Sequence, residues 1–162
     1  MARSLRPDSL VGYSLGEFVA HAVSGALAPE SALRALIGLV DCLEQMPLGY
    51  SGAMTAVLAE SRIIEEKPEI FSDCWLAAIN RNDNFVLAGN LENLNNTEHH
   101  LKKLGIVFQR LDVEYPFHSP LIEPAQAAFK TLAESLNYQS AQIPVLSSRG
   151  IAGYRSSSAV EL

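Results

Sequence analysis

Apolar residues fall into two rhythms along this chain. Phe18, Val19, Ala22, Val23 and Ala26 recur at helical spacing, directly after a short strand over Asp8–Tyr13 that turns at Ser14–Glu17. A second helix opens at Pro29, a residue suited to the first helical position, and carries Leu33, Leu36, Ile37, Val40 and Leu43 until Pro47 and Gly49 stop it. The rhythm then alternates. Ala53–Leu58 reads as a strand, Glu60–Phe71 as a helix broken at Pro68, and Trp75–Asn80 and Phe85–Ala88 as strands around a turn at Asn82-Asp83. A helix over Leu91–Leu104, capped by Asn90 and Gly105, leads to a strand over Ile106–Val113. The order βαββαβ predicts a compact ferredoxin-like subdomain. Beyond it come a loop at Tyr115–Pro120, a helix over Leu121–Leu136 and a strand over Ile143–Ser147. From Tyr154, with Ser156–Ser158, the tail carries no pattern, and no repeats appear. The organisation expected is an α/β body over 1–50 and 114–162, with 51–113 inserted.

Composition narrows the class. Hydrophobic residues make up 48% of the 162 and charged residues 19%, which supports a packed core. Apolar stretches are interrupted by Gly, Ser, Glu and His well before a bilayer's thickness, and no basic-then-apolar leader opens the chain, so neither a membrane nor a signal peptide is expected. Cys42 and Cys74 lie apart, without metal-ligand spacing, and fit buried thiols in a reducing cytoplasm. The formal charge of −6 has no clustered basic run, which argues against nucleic acid. An acidic partner would find only Lys102, Lys103 and Arg110, and the two lysines read equally well as a solvated helix face.

Gly12-Tyr13-Ser14-Leu15-Gly16 matches the G-x-S-x-G nucleophile elbow, at the strand-to-helix junction that motif requires. A serine on so tight a turn projects its hydroxyl into a cleft, and the Leu15 N–H in the first helical turn is placed to stabilise an oxyanion. The same serine would also serve as a helix N-cap. A neutral hydroxyl is a weak nucleophile and needs a base. His21 lies on the serine's own helix, about 10 Å along the axis, and reads as a partly buried helix residue. His99 and His100 read as surface. His118 remains, in the loop where the chain returns from the inserted unit.

Together these segments resemble the malonyl-type acyltransferases of polyketide and fatty-acid synthases. Gly12–Glu17 resembles the family's serine signature, Gly52-Ala53-Met54 its G-A-M strand, Ala78-Ile79-Asn80 with Ala88-Gly89 its hairpin, and Tyr115–Pro120 its histidine motif. The resemblance implies an α/β-hydrolase-like acyltransferase body, here partial, with the ferredoxin-like insertion. It implies Ser14 and His118 as the catalytic pair, and Leu39, Tyr115 and Phe117 in the substrate pocket. Family members are longer. They carry a glutamine loop of the oxyanion hole in a stretch that would precede Asp8, and a histidine-orienting residue in one that would follow Leu162. Acyl groups would pass through an acyl-serine from acyl-CoA or an acyl carrier protein, with no cofactor or metal.

Two positions depart from the pattern. Tyr13 stands where the family usually has histidine. Leu39, twenty-five residues after Ser14, stands where malonyl-type members hold the substrate carboxylate with arginine; Arg34 lies more than a turn earlier. A carboxylate buried against leucine would be desolvated without a partner, at a cost of several kcal/mol. An uncharged chain would gain about 0.8 kcal/mol per buried methylene. Members without the arginine include acyl hydrolases acting on carrier proteins and transferases of uncharged starter units. The alternatives are a malonyl-selective transferase, an ordinary serine esterase, and an inactive module that docks a carrier protein.

Overall fold

The structure, a computed structural model, describes residues 6–46 and 52–146. The expected stops at Pro47 and Gly49, the strand end at Ser147 and the tail from Tyr154 lie outside the described residues. The chain divides into two compact units, one drawn from Met1–Cys42 and Ala128–Leu162, the other Leu43–Ala127. The sequence suggested boundaries at 50/51 and 113/114; by contact density the units meet at 42/43 and 127/128.

In the first unit, β1 (Leu10–Val11) pairs in parallel with β6 (Val145–Leu146), Leu10 opposite Val145. The chain passes from β1 into α1 (Gly16–Val23), and α2 (Pro29–Glu44) begins at the proline, as the pattern predicts. Ala26 was expected on the α1 stripe but lies past the helix end. Gly25, at φ 79°, adopts the left-handed conformation that terminates helices, and its N–H donates to the Ala22 carbonyl. Ala26 is nonetheless buried, and its carbonyl accepts from the Gln139 N–H at 2.8 Å. This core is built largely of alanine: Ala20, Ala32, Ala35 and Ala133 are buried. Small side chains let α1 and the stretch after it pack closely, and Phe18 meets Phe129 of α6 (Glu123–Glu134) edge-on at 6.2 Å.

The second unit holds β2 (Ala53–Leu58), two short helices α3 (Ile63–Glu66) and α4 (Pro68–Phe71), β3 (Trp75–Arg81), β4 (Asn84–Gly89), α5 (Leu91–Lys103) and β5 (Val107–Arg110). The strands form one antiparallel sheet in the order β3-β4-β2-β5, separate from the β1–β6 pair. Period-two alternation sorts its two faces. Ala53 and Val57 of β2 and Phe85 and Leu87 of β4 pack with Phe71, Leu94 and Leu101 from the helices. Met54, Val86 and Ala88 point the other way and are covered by Leu111, Val113 and Phe117. The break at Pro68 falls where expected. Asn90 caps α5, its side-chain oxygen accepting from the Asn93 N–H at 2.8 Å. Beyond α5, Gly105 sits at φ 69°, and its N–H donates to the Lys102 carbonyl.

Candidate active site

Ser14 and His118 belong to different units, and each is built by its own surroundings. The turn that carries Ser14 is closed by two bonds: the Gly16 N–H donates to the Tyr13 carbonyl at 2.8 Å, and the Glu17 N–H to the Ser14 carbonyl at 3.0 Å. The Leu15 N–H lies ahead of the first of these bonds, at the positive end of α1. Leu15 itself occupies the N-cap position, with φ −51° and ψ −30°, and makes no side-chain cap bond. Tyr13 and Leu15 are 60% and 59% exposed, and Ser14 between them is exposed too.

The two glycines of the elbow have different duties. A Cβ on Gly12 would lie 2.6 Å from the Glu17 backbone nitrogen and 2.7 Å from the Gly16 carbonyl oxygen, so only glycine fits beneath the helix start. A Cβ on Gly16 would meet nothing within 4 Å. The close approach that the motif encodes is thus borne by Gly12 alone.

His118 is exposed, at the end of a segment pinned to the second unit's sheet. The Leu111 N–H donates to the Met54 carbonyl at 2.9 Å, and the Gly52 N–H to the Glu114 carbonyl at 3.3 Å. Phe117 packs on the Met54–Val86–Ala88 face, and its ring meets Tyr115 edge-on at 6.0 Å. Pro116 is fully buried, and the buried Ser119 hydroxyl donates to the Pro116 carbonyl at 2.6 Å. Sequence reasoning missed Ser119 and the role of Gly52. The Ser-Pro pair after the histidine was the available signal.

Among the described residues, Ser14 (φ 51°) and His118 (φ 58°) are the two non-glycine residues at positive φ. Such conformations are uncommon for residues with a Cβ, and they cluster where function holds them.

The remaining candidates are placed as follows. Leu39 is half-buried on α2. An apolar groove of about 330 Å³ between α1 and α2 is lined by residues including Phe18, Val19, Val23, Leu33 and Leu36. His21 is half-buried on α1, as expected, with its ring edge-on to Tyr138 at 6.4 Å. Its Nδ1 is buried without a hydrogen-bond partner among the described residues, and burial pushes its pKa below the ordinary value, partly offset by Glu17. His99 and His100 are exposed on α5. Both cysteines are free and half-buried, and burial pushes the Cys74 thiol up. The loose basic cluster is smaller than its sequence suggests. Arg110 is engaged by Glu98 at 2.7 Å and by Asn95 at 2.9 Å, leaving Lys102 and Lys103. Among the described residues, no helix is long and apolar enough to cross a membrane, and no group of three or more His, Cys, Asp or Glu is placed to hold a metal ion.

The polyketide biosynthesis acyltransferase homolog PksD of Bacillus subtilis (strain 168) is 36% identical over 151 residues, covering 90% of this chain and 44% of PksD. The acyltransferase domain from the second module of the salinomycin polyketide synthase is 34% identical, with a TM-score of 0.73, over 87% of this chain and 33% of that one. The malonyl CoA-acyl carrier protein transacylase of Coxiella burnetii is 25% identical, with a TM-score of 0.77, over 89% and 47%. The chain therefore spans less than half the length of these relatives. A sequence profile for the acyl transferase domain matches residues 2–159, and the mixed α/β chain belongs to the acyl transferase domain family.

Proposed function

We propose that this chain forms part of an acyltransferase that carries acyl groups as an ester on Ser14, with His118 as the proton-transfer base and the Leu15 N–H as an oxyanion donor. His118 takes the Ser14 proton as Oγ attacks the thioester carbonyl carbon; the C–S bond then breaks and the thiol leaves with that proton. An acceptor thiol or water, again deprotonated by His118, attacks the ester carbon; the C–Oγ bond breaks and Ser14 Oγ recovers the proton from His118 as the acyl product leaves. The donor is acyl-CoA or a carrier-protein thioester in the cytoplasm, the acceptor a carrier thiol or water, and Tyr115 and Phe117 flank the acyl chain. Leu39 favours uncharged acyl groups. The sheet order of Leu43–Ala127, with βαββαβ connectivity, supports a ferredoxin-like reading of that unit, set into an α/β-hydrolase-like body.

The observation that carries the reading is the pair of left-handed backbones at Ser14 and His118, at the two positions where the family motifs put nucleophile and base. A serine-directed fluorophosphonate tests it. The chain is expected to be labelled at Ser14, with Ser14→Ala unlabelled and His118→Ala slowed by about a hundredfold or more. Absence of an adduct on the native chain would favour a docking module without chemistry.

A further inference from the structure

The segment before His118 and the residue after it converge on one backbone. Gly52 lies at the mouth of β2, where a Cβ would stand 2.5 Å from the Gly89 carbonyl oxygen and 2.9 Å from Cβ and Cγ of Pro116. Pro116 fills that space, fully buried, and its fixed φ restricts the chain on both sides. Two residues beyond Pro116 comes His118 at φ 58°, and one further on Ser119, whose hydroxyl reaches back to the Pro116 carbonyl at 2.6 Å. That bond closes a loop of four residues with His118 inside it. Ser119 is 8% exposed, and both of its bonded atoms lie away from water. Phe117, the residue between proline and histidine, is held by the apolar face of the sheet.

We propose that Ser119 and Gly52 are positioning residues for His118. The hydroxyl clasp and the bare Cα that seats Pro116 together hold the histidine backbone in its left-handed conformation and so fix where the ring is presented. Neither residue touches the reacting atoms. A Cβ at position 52 or the loss of the hydroxyl at 119 frees the turn to relax toward ordinary negative φ. The inference rests on the acyl-serine reading only for the use to which the fixed ring is put.

The test uses the whole chain and two readouts, the His118 ring resonances by NMR and the rate of Ser14 labelling by a fluorophosphonate. Ser119→Ala is expected to shift and broaden the His118 ring signals and to slow labelling by about tenfold or more, since a small misplacement of a catalytic group is enough for such a loss. The methyl signals of Leu87 and Leu94 in the opposite core should hold. Ser119→Thr keeps the hydroxyl, and the extended backbone there (φ −132°, ψ 161°) suits a β-branched residue. It should restore both readouts to within about threefold of the native values. Should Ser119→Ala fail to fold, Gly52→Ala answers the same question through the seat of Pro116. His118 signals unmoved in a folded Ser119→Ala or Gly52→Ala chain would overturn the proposal. So would a folded Ser119→Thr chain that behaves like Ser119→Ala. A native chain that takes no label defeats the acyl-serine reading instead, and the ring signals still decide the positioning role.

Discussion

Gly12 and Gly16 look equivalent in the motif and are not equivalent in space. Gly12→Ala drives a methyl into the Glu17 nitrogen and the Gly16 carbonyl, and is expected to destabilise the chain by about 1–3 kcal/mol. Gly16→Ala, with open space around it, should be neutral or stabilising by about 0.4–1 kcal/mol through the unfolded state. Thermal unfolding of the two variants checks the contrast; equal losses would refute it. His21 offers a second residue-level expectation. Its folded pKa lies below the ordinary 6.5 because burial disfavours the charged form, with Glu17 opposing and the Tyr138 ring alongside. The unfolded chain therefore binds the proton more readily. The stability this contributes is present above about 6.5 and is lost as pH falls through that value toward the lower folded one. His21→Phe should flatten the fall measured by denaturant unfolding between about pH 7.5 and about pH 5.

Helices and strands follow local rules closely enough to be tested one at a time. Asn90→Ala removes the cap of α5 and is expected to cost about 1 kcal/mol, while Asn90→Asp should be nearly neutral. Arg110→Met leaves Glu98, which also accepts from the fully buried Thr55 at 2.6 Å, without its cation; charge-assisted bonds of this kind contribute roughly 1.5–3 kcal/mol. Equilibrium unfolding reads both. These same elements mark what the sequence made legible. Pro29, the Pro68 break, the Asn90 cap and the Asn82-Asp83 turn are written in adjacent residues, so their places could be read directly. The strand over Asp8–Tyr13 shrinks to Leu10–Val11 because its length depends on a partner far along the chain, Val145–Leu146. Gly52 against Pro116 is equally non-local. Nothing in Tyr-Pro-Phe-His-Ser-Pro announces a positive φ, since the usual glycine or asparagine signal is missing. The serine elbow was readable because its glycine and its helix are neighbours in sequence.

At the scale of the whole molecule, the selectivity question turns on Leu39. On the proposed acyl-serine reading, acetyl or longer uncharged thioesters are expected to acylate Ser14 faster than malonyl thioester. Leu39→Arg should move the ratio toward malonyl by about tenfold or more, since a guanidinium pairs the carboxylate with charge-assisted bonds. Acyl-enzyme formation with each thioester, before and after substitution, gives the answer. A native enzyme that prefers malonyl would show that another cation holds the carboxylate.

The left-handed backbones at Ser14 and His118 also set a direction for drift. A Cβ is disfavoured at such a position by about 1–2 kcal/mol, and glycine is free of that penalty. Ser14→Gly should therefore be more stable than Ser14→Ala, although both are equally unable to form an ester, and the same holds at His118. A lineage released from selection for chemistry would gain stability by acquiring glycine at these two places, while one still under selection is held to the less stable residue. On backbone conformation alone, glycine would be the favoured residue at both places.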